Sequence, residues 1–213
     1  MQARRAAVIA LAITLVLTSA ASGLAQSPQP AGGARTALIV IDIQNFYFPG
    51  GRLPLVGPAE AAAQARKVID ACRAKKIPVI HVRHVPLSPA GLDADPAYAI
   101  RPEVGPLPAE TVVTKHYANS FRETPLLDVL RKLGAERLII CGMQTHMCVE
   151  AAVRAAADYG FTVVVPHEAC ATRDLAFEGT TIPAAQVHAA ALAAMNGSYA
   201  RVIGVEALIA ELR

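Results

Sequence analysis

Three polar side chains stand where short apolar runs give out, and in combination they could carry out nucleophilic chemistry. Asp42 closes the run that begins at Leu38, Lys115 follows Val112-Val113-Thr114, and Cys148 opens a helical stretch shortly after the run Arg137–Cys141. Singly, each has an ordinary explanation. An aspartate at a strand end can cap a loop, a lysine there is usually a solvated charge, and a lone cysteine is most often a small buried hydrophobe. Together they read as an activated thiol. A cysteine at a helix N-terminus gains from the helix dipole, and a neighbouring ammonium lowers its pKa further. A carboxylate beside them can accept the thiol proton and hand it to a departing nitrogen.

Residues this far apart in sequence need a frame that brings strand ends together. The apolar runs are short and β-branched: Leu38–Ile43, Val79–Val82, Thr111–Thr114, Arg137–Cys141, Phe161–Val165 and a weaker one at Ala200–Val205. Between them Pro58–Lys76, Thr124–Leu133, Cys148–Tyr159 and Pro183–Asn196 suit helices, being Ala-rich or opened by a proline tolerated in the first turn. Strands apolar on both faces, alternating with helices, imply an α/β fold of three layers. The expected form is a doubly wound, mostly parallel six-stranded sheet with helices on both faces. Such sheets bind ligands outside the carboxyl ends of their strands, where the three residues fall. There is no internal repeat. The one long irregular stretch, Val85–Glu110, carries six prolines and is expected to fold over the site.

A chain of 213 residues that is 54% hydrophobic and 17% charged can fill one core but not two ordinary domains. Its net charge of +3 includes two arginines near the start, and there is no Trp. Without a basic face or stacking platforms, a nucleic-acid partner is not expected. Arg4 and Arg5 precede the apolar run Ala6–Leu17 and a small-x-small site at Gly23-Leu24-Ala25. That is the pattern of a signal peptide over 1–25, leading to a periplasmic or secreted protein with no stable membrane anchor after cleavage. A membrane span needs about 20 continuous apolar residues, more than this run offers. The Pro/Gly/Ser-rich stretch 26–35 reads as a flexible linker, leaving 36–213 as the folded domain. The cysteines Cys72, Cys141, Cys148 and Cys170 form no CxxC motif, and any pairing among them is unreadable.

Two segments also carry a resemblance. Asp42-Ile43-Gln44-Asn45, followed by Phe48-Pro49-Gly50-Gly51, resembles the opening motif of the isochorismatase-like cysteine hydrolases. Gly142-Met143-Gln144-Thr145-His146-Met147-Cys148-Val149 is similar to that family's nucleophile motif. Lys115 with Asn119-Ser120-Phe121, and Glu168–Thr172, match further family segments, so the resemblance extends from Thr36 onward. It implies Cys148 as nucleophile, Asp42 as general base and acid, and Lys115 as the cation holding them. It also implies a cis peptide at Met143–Gln144 that turns the N–H groups of Gln144 and Cys148 toward one point as an oxyanion hole. The reaction implied is hydrolysis of a C–N bond in a small amide, ureido or carbamoyl compound through a thioester. The isochorismatase branch cleaves a vinyl ether and can dispense with the cysteine, so Cys148 favours amide chemistry.

Several other residues fall near the expected pocket. Gln44, Tyr47, His84, Phe121 and His146 are candidates for its lining, each with packing as the plainer alternative. Some family members bind a metal near the second strand, where this chain has His81-Val82-Arg83-His84. Those two histidines face opposite sides of a strand, so no metal and no other cofactor is expected. His116 and His146 lack the local motifs of a papain-like Cys–His pair, and His188 reads as packing or interface. A homo-oligomer is expected by family analogy, with Ala184–Ala194 offering a close-packed helix face. The competing readings are vinyl-ether hydrolysis, which basic residues gripping a dicarboxylate would favour, and an exported non-catalytic binding protein. A dinucleotide site is excluded, because the first strand leads into Gln44-Asn45-Phe46 rather than Gly-x-Gly-x-x-Gly.

Overall fold

The computed structural model describes residues 35–87 and 92–212. The expected signal peptide 1–25, and all of the linker but Arg35, lie outside the described residues. In chain order the strands are β1 (Thr36–Ile41), β2 (Val79–His84), β3 (Thr111–Lys115), β4 (Arg137–Met143), β5 (Thr162–Pro166), β6 (Cys170–Ala171), β7 (Leu175–Phe177), β8 (Thr180–Ile182) and β9 (Arg201–Ile203). The main sheet runs β3-β2-β1-β4-β5-β9 with every pairing parallel, and β6 adds to the end of β4. It therefore has seven strands where six were expected. The extra one is two residues long, too short to leave a hydrophobic period, and pairs Cys170 and Ala171 with Gly142 and Met143. A separate antiparallel hairpin, β7–β8, was not foreseen either.

β1 and β4 form the middle of the sheet and are apolar on both faces, as helices on either side require. The helices are α1 (Pro58–Ala74), α2 (Leu126–Leu133), α3 (Glu150–Asp158), α4 (Ala184–Met195) and α5 (Val205–Glu211). Right-handed crossovers place α1 and α3 on opposite faces; α1 packs with α5, and α3 with α4. The buried face of α1 is Ala61, Ala65, Val68, Ile69 and Cys72, the spacing of one helical stripe. α2 begins later than its composition predicts, because Thr124 Oγ1 donates to the Ser120 carbonyl and accepts from Leu126 N–H, forming a turn ahead of it.

The winding direction reverses between β1 and β4, since β2 and β3 lie to one side and β5 and β9 to the other. Crevices at such switch points are where open α/β sheets bind ligands. Ile41 is level with both Val82 and Gly142, so the strand ends that release Asp42 and the 144–148 turn reach the same height. Gly142 makes that close approach possible. Its φ is +127°, and a Cβ there would overlap the Ile41 carbonyl oxygen on the adjacent strand. Gly142→Ala is expected to destabilise the fold by on the order of 3 kcal/mol. A chemical-denaturation midpoint equal to wild type would contradict this packing.

Candidate active site

Asp42 leaves β1 with φ +52°, a left-handed conformation uncommon outside glycine and tolerated by aspartate. Lys115 ends β3, in register with His84 on β2. Lys115 Nζ lies 2.7 Å from Asp42 Oδ2 and 3.3 Å from Cys148 Sγ. It also donates to the Tyr117 carbonyl at 3.1 Å and stands 3.2 Å from His84 Nδ1. Both charged groups of the pair are wholly buried. The ion pair is close but not aligned as a hydrogen bond, and the same carboxylate stands beside the Cys148 thiol. The carboxylate is therefore left with lone pairs to receive a proton.

Cys148 lies in a π-type turn, Thr145–Val149, that runs directly into α3. Val149 N–H reaches five residues back to the Gln144 carbonyl at 3.2 Å, and Met147 N–H donates to the same oxygen at 3.1 Å. Such π turns are frequent at functional sites. Thr145 Oγ1 bonds His188 Nδ1 of α4 at 2.9 Å, pinning the turn from behind. The Met143–Gln144 peptide bond is cis.

One electrostatic expectation fails here. Burial first, then the Asp42 charge, push the Cys148 thiol up to about 12 against the opposing pull of Lys115. Desolvation penalises thiolate more than one ammonium favours it, because that ammonium is already shared with a carboxylate. The resting site is thus a neutral thiol beside an ion pair. Burial alone would lower Lys115, but Asp42 and Cys148 raise it above its ordinary value. Burial, then the Lys115 charge, hold His84 low, so His84 is neutral near pH 7.

The thiol faces a cavity of about 310 Å³. Its apolar wall is Phe46, Leu53, Pro86, Ala118 and Met147; Tyr47, His84, Gln144 and two arginines, Arg52 and Arg173, add polar groups. Tyr47 Oη accepts from Gln144 Nε2 at 3.2 Å, and burial, followed by the Asp42 charge, keeps its phenol protonated. Of the residues read as lining, Tyr47 and His84 lie in the cavity, and the Gln144 side chain joins them there.

Three other expectations are corrected. Gln44 is buried with its amide spent on backbone, donating to the His84 and Tyr98 carbonyls at 3.0 and 2.6 Å and accepting from His84 N–H at 2.7 Å. It ties loop to strand and does not line the cavity. Phe121 packs on Tyr159, ring centroids 5.3 Å apart, away from the cavity. His146 turns to Thr172 Oγ1 instead of the pocket mouth. Arg52, Arg173, Tyr98 and Met147 line the cavity without having been singled out. Arg52 directly follows Gly50-Gly51, and Arg173 directly follows Thr172, so both sat one residue beyond recognised motifs.

The Pro-rich segment does reach the site, through Pro86 and the buried Tyr98. All four cysteines are free and buried. Among the described residues no three His, Cys, Asp or Glu side chains converge on a metal-sized site. His81 bonds Glu110 at 3.1 Å on one face of β2, while His84 meets Lys115 on the other.

An α/β sheet with a carboxylate, an ammonium and a thiol in contact at its switch point defines a hydrolase-type site. Residues 36–207 match the family model of the isochorismatase domain. The chain is 42% identical over 177 residues to YddQ, an uncharacterized isochorismatase family protein of Bacillus subtilis (strain 168), spanning 82% of this chain and 98% of that one. It is 27% identical over 158 residues to the maleamate amidohydrolase of Pseudomonas putida, with 66% of this chain and 74% of that protein covered. The crystal structure of an isochorismatase from Pseudomonas putida KT2440 superposes with a TM-score of 0.76 at 38% identity, covering 85% of this chain and 93% of that chain. The chain belongs to the isochorismatase family of hydrolases.

Because the thiol is held high, alkylation of Cys148 by iodoacetamide should be slow at pH 7 and still rising at pH 9, above the ordinary thiol pKa of about 8.5. Asp42→Asn removes a charge that raises the thiol while leaving Lys115, so the alkylation profile should move to lower pH. A profile that moves up, or a wild-type profile already saturated below pH 8, would contradict these electrostatics.

Proposed function

We propose that the protein hydrolyses a C–N bond of a small amide, ureido or carbamoyl compound through a thioester on Cys148. One buried ammonium in contact with both a carboxylate and a thiol supports this most strongly. The substrate carbonyl enters the cavity above Cys148. Sulfur attacks the carbonyl carbon as Asp42 takes the thiol proton, so thiolate forms only while its charge is passing to the carbonyl oxygen. That oxygen is received by the backbone N–H groups of Gln144, just ahead of the turn, and Cys148 within it. Asp42 then protonates the leaving nitrogen, and the C–N bond breaks to leave the thioester. Water enters and loses a proton to Asp42 as its oxygen attacks the thioester carbon. The C–S bond breaks, and the proton returns from Asp42 to sulfur. Lys115 holds the carboxylate throughout and offsets charge on sulfur. The name of the maleamate amidohydrolase among the relatives favours an amide bond.

Arg52 and Arg173 in the cavity give a second reading some support, hydrolysis of a vinyl ether in a dicarboxylate. That reaction needs no thiol, and Cys148 decides between the two. With primary amides as substrates, Cys148→Ala is expected to lower kcat by about a thousandfold or more while the melting temperature holds. Added hydroxylamine should divert wild-type product into a hydroxamate, as a thioester requires. A Cys148→Ala protein of normal activity would exclude the thioester route, and no turnover of amides by wild type, with thiol-independent cleavage of a vinyl ether, would favour the second reading.

A further inference from the structure

We propose that two crossed imidazole–hydroxyl pairs, Thr145–His188 and His146–Thr172, fix the turn that presents Cys148, and that His188 and Thr172 are positioning residues for the nucleophile. This deepens the thioester reading above and rests on it for the role of the turn. In one pair the turn supplies the hydroxyl and α4 the imidazole, with Thr145 Oγ1 2.9 Å from His188 Nδ1. In the other the turn supplies the imidazole, and His146 Nδ1 bonds the hydroxyl of Thr172, one residue past β6. Consecutive residues of the turn are thus tied to two different segments. Both α4 and β6 pack against the turn.

The need for fastening from outside follows from the turn itself. Its last residue runs into α3 and is carried by that helix, whereas its first residues have no helix ahead of them. Met147 and Val149 N–H both donate to the Gln144 carbonyl, so two backbone bonds share one acceptor and leave Thr145 and His146 to be placed by their side chains. Thr145 and Thr172 are buried, at 0% and 2% exposure. Among the described residues, each hydroxyl makes its one hydrogen bond to the imidazole. A buried hydroxyl without a partner is penalised and rare, so each pair favours a single placement of the turn.

His188 and Thr172 meet behind the turn, where they line a cavity of about 200 Å³ with Val56, Cys170 and Ala184. That cavity shares no residue with the one above Cys148, so the two side chains act on the reaction only through the turn. Two conditions depend on where the turn puts Cys148. The sulfur must face the substrate carbonyl, and it must stay within reach of Lys115 Nζ, 3.3 Å away. A displacement of about 1 Å at a reacting group costs on the order of a hundredfold in rate, even when the mutation lies far from the chemistry. The pairs therefore set kcat and leave substrate binding alone.

The test pairs a turnover-free measurement with kinetics on the full-length protein. Thr172→Val and His188→Leu each remove one hydrogen bond at nearly constant volume, while Thr172→Ser and His188→Asn keep a bonding group at the same place. Amide hydrogen exchange read by mass spectrometry should quicken by about tenfold or more over 144–149 in the Val and Leu variants, with β1 and β5 still protected. With a primary amide as substrate, kcat should fall by about thirty- to a hundredfold in each, with KM within about twofold of wild type. The Ser and Asn variants should recover most of both losses. Wild-type exchange over the turn in the Val and Leu variants overturns the proposal. So does faster exchange with kcat unchanged, a loss expressed in KM, or no recovery with Ser and Asn. Turnover by wild-type protein separates this failure from that of the amide reading. Amide hydrolysis with a turn indifferent to these substitutions removes the clamp alone. Faster exchange, recovered by Ser and Asn, in a chain that hydrolyses no amide upholds the clamp and removes the amide reaction.

Discussion

The Lys115–Asp42 ion pair is the interaction on which the site depends. Two opposite charges, both fully buried and 2.7 Å apart, are not held for stability. Desolvating them costs about as much as their attraction returns, although removing one partner strands the other at a cost of roughly 3–5 kcal/mol. What the pair does is fix a proton acceptor beside a thiol in a dry environment. Asp42 comes off β1 and Lys115 off β3, with β2 between them. The long lysine side chain bridges that gap, passing His84 on β2, and its ammonium ends between carboxylate and sulfur. The left-handed backbone at Asp42 is the local distortion that aims the carboxylate there.

The same strand ends organise the cavity. Gln44, two residues beyond Asp42, uses its amide to join the end of β2 to the Pro-rich segment through Tyr98. Arg101 N–H adds a backbone bond to the Ile43 carbonyl at 2.9 Å. One short run after β1 thus supplies the buried carboxylate, anchors the covering loop and, with Tyr47 and Arg52, contributes to the wall. Opposite it, Gln144 links Tyr47 to Arg173 by side-chain hydrogen bonds. A change in this polar chain would alter the Tyr47 side and the Arg173 side of the cavity together.

Much of this was legible in the sequence, for physical reasons. Strands buried on both faces leave continuous β-branched runs, so β1 to β5 and β9 could be read, and with them the three residues at their ends. β6 was not readable, being two residues long, and α5 follows the last strand too closely to form a separate pattern. Side-chain direction was least accessible. Gln44 and His146 lie inside recognised motifs, yet their hydrogen bonds turn them to backbone and to Thr172. Phe121 found an aromatic neighbour from a distant segment. The thiol was misjudged because spacing shows which charges are close but not how dry their surroundings are. With Cys148 and Asp42 both buried, desolvation outweighed the ammonium.

The claim at the centre of this account is where the proton rests before substrate arrives. Infrared difference spectra of wild type minus Cys148→Ser at neutral pH measure it directly, because the other three buried thiols cancel. The account predicts an S–H stretch assigned to Cys148 that Cys148→Ser lacks. A spectrum without that S–H band would contradict it.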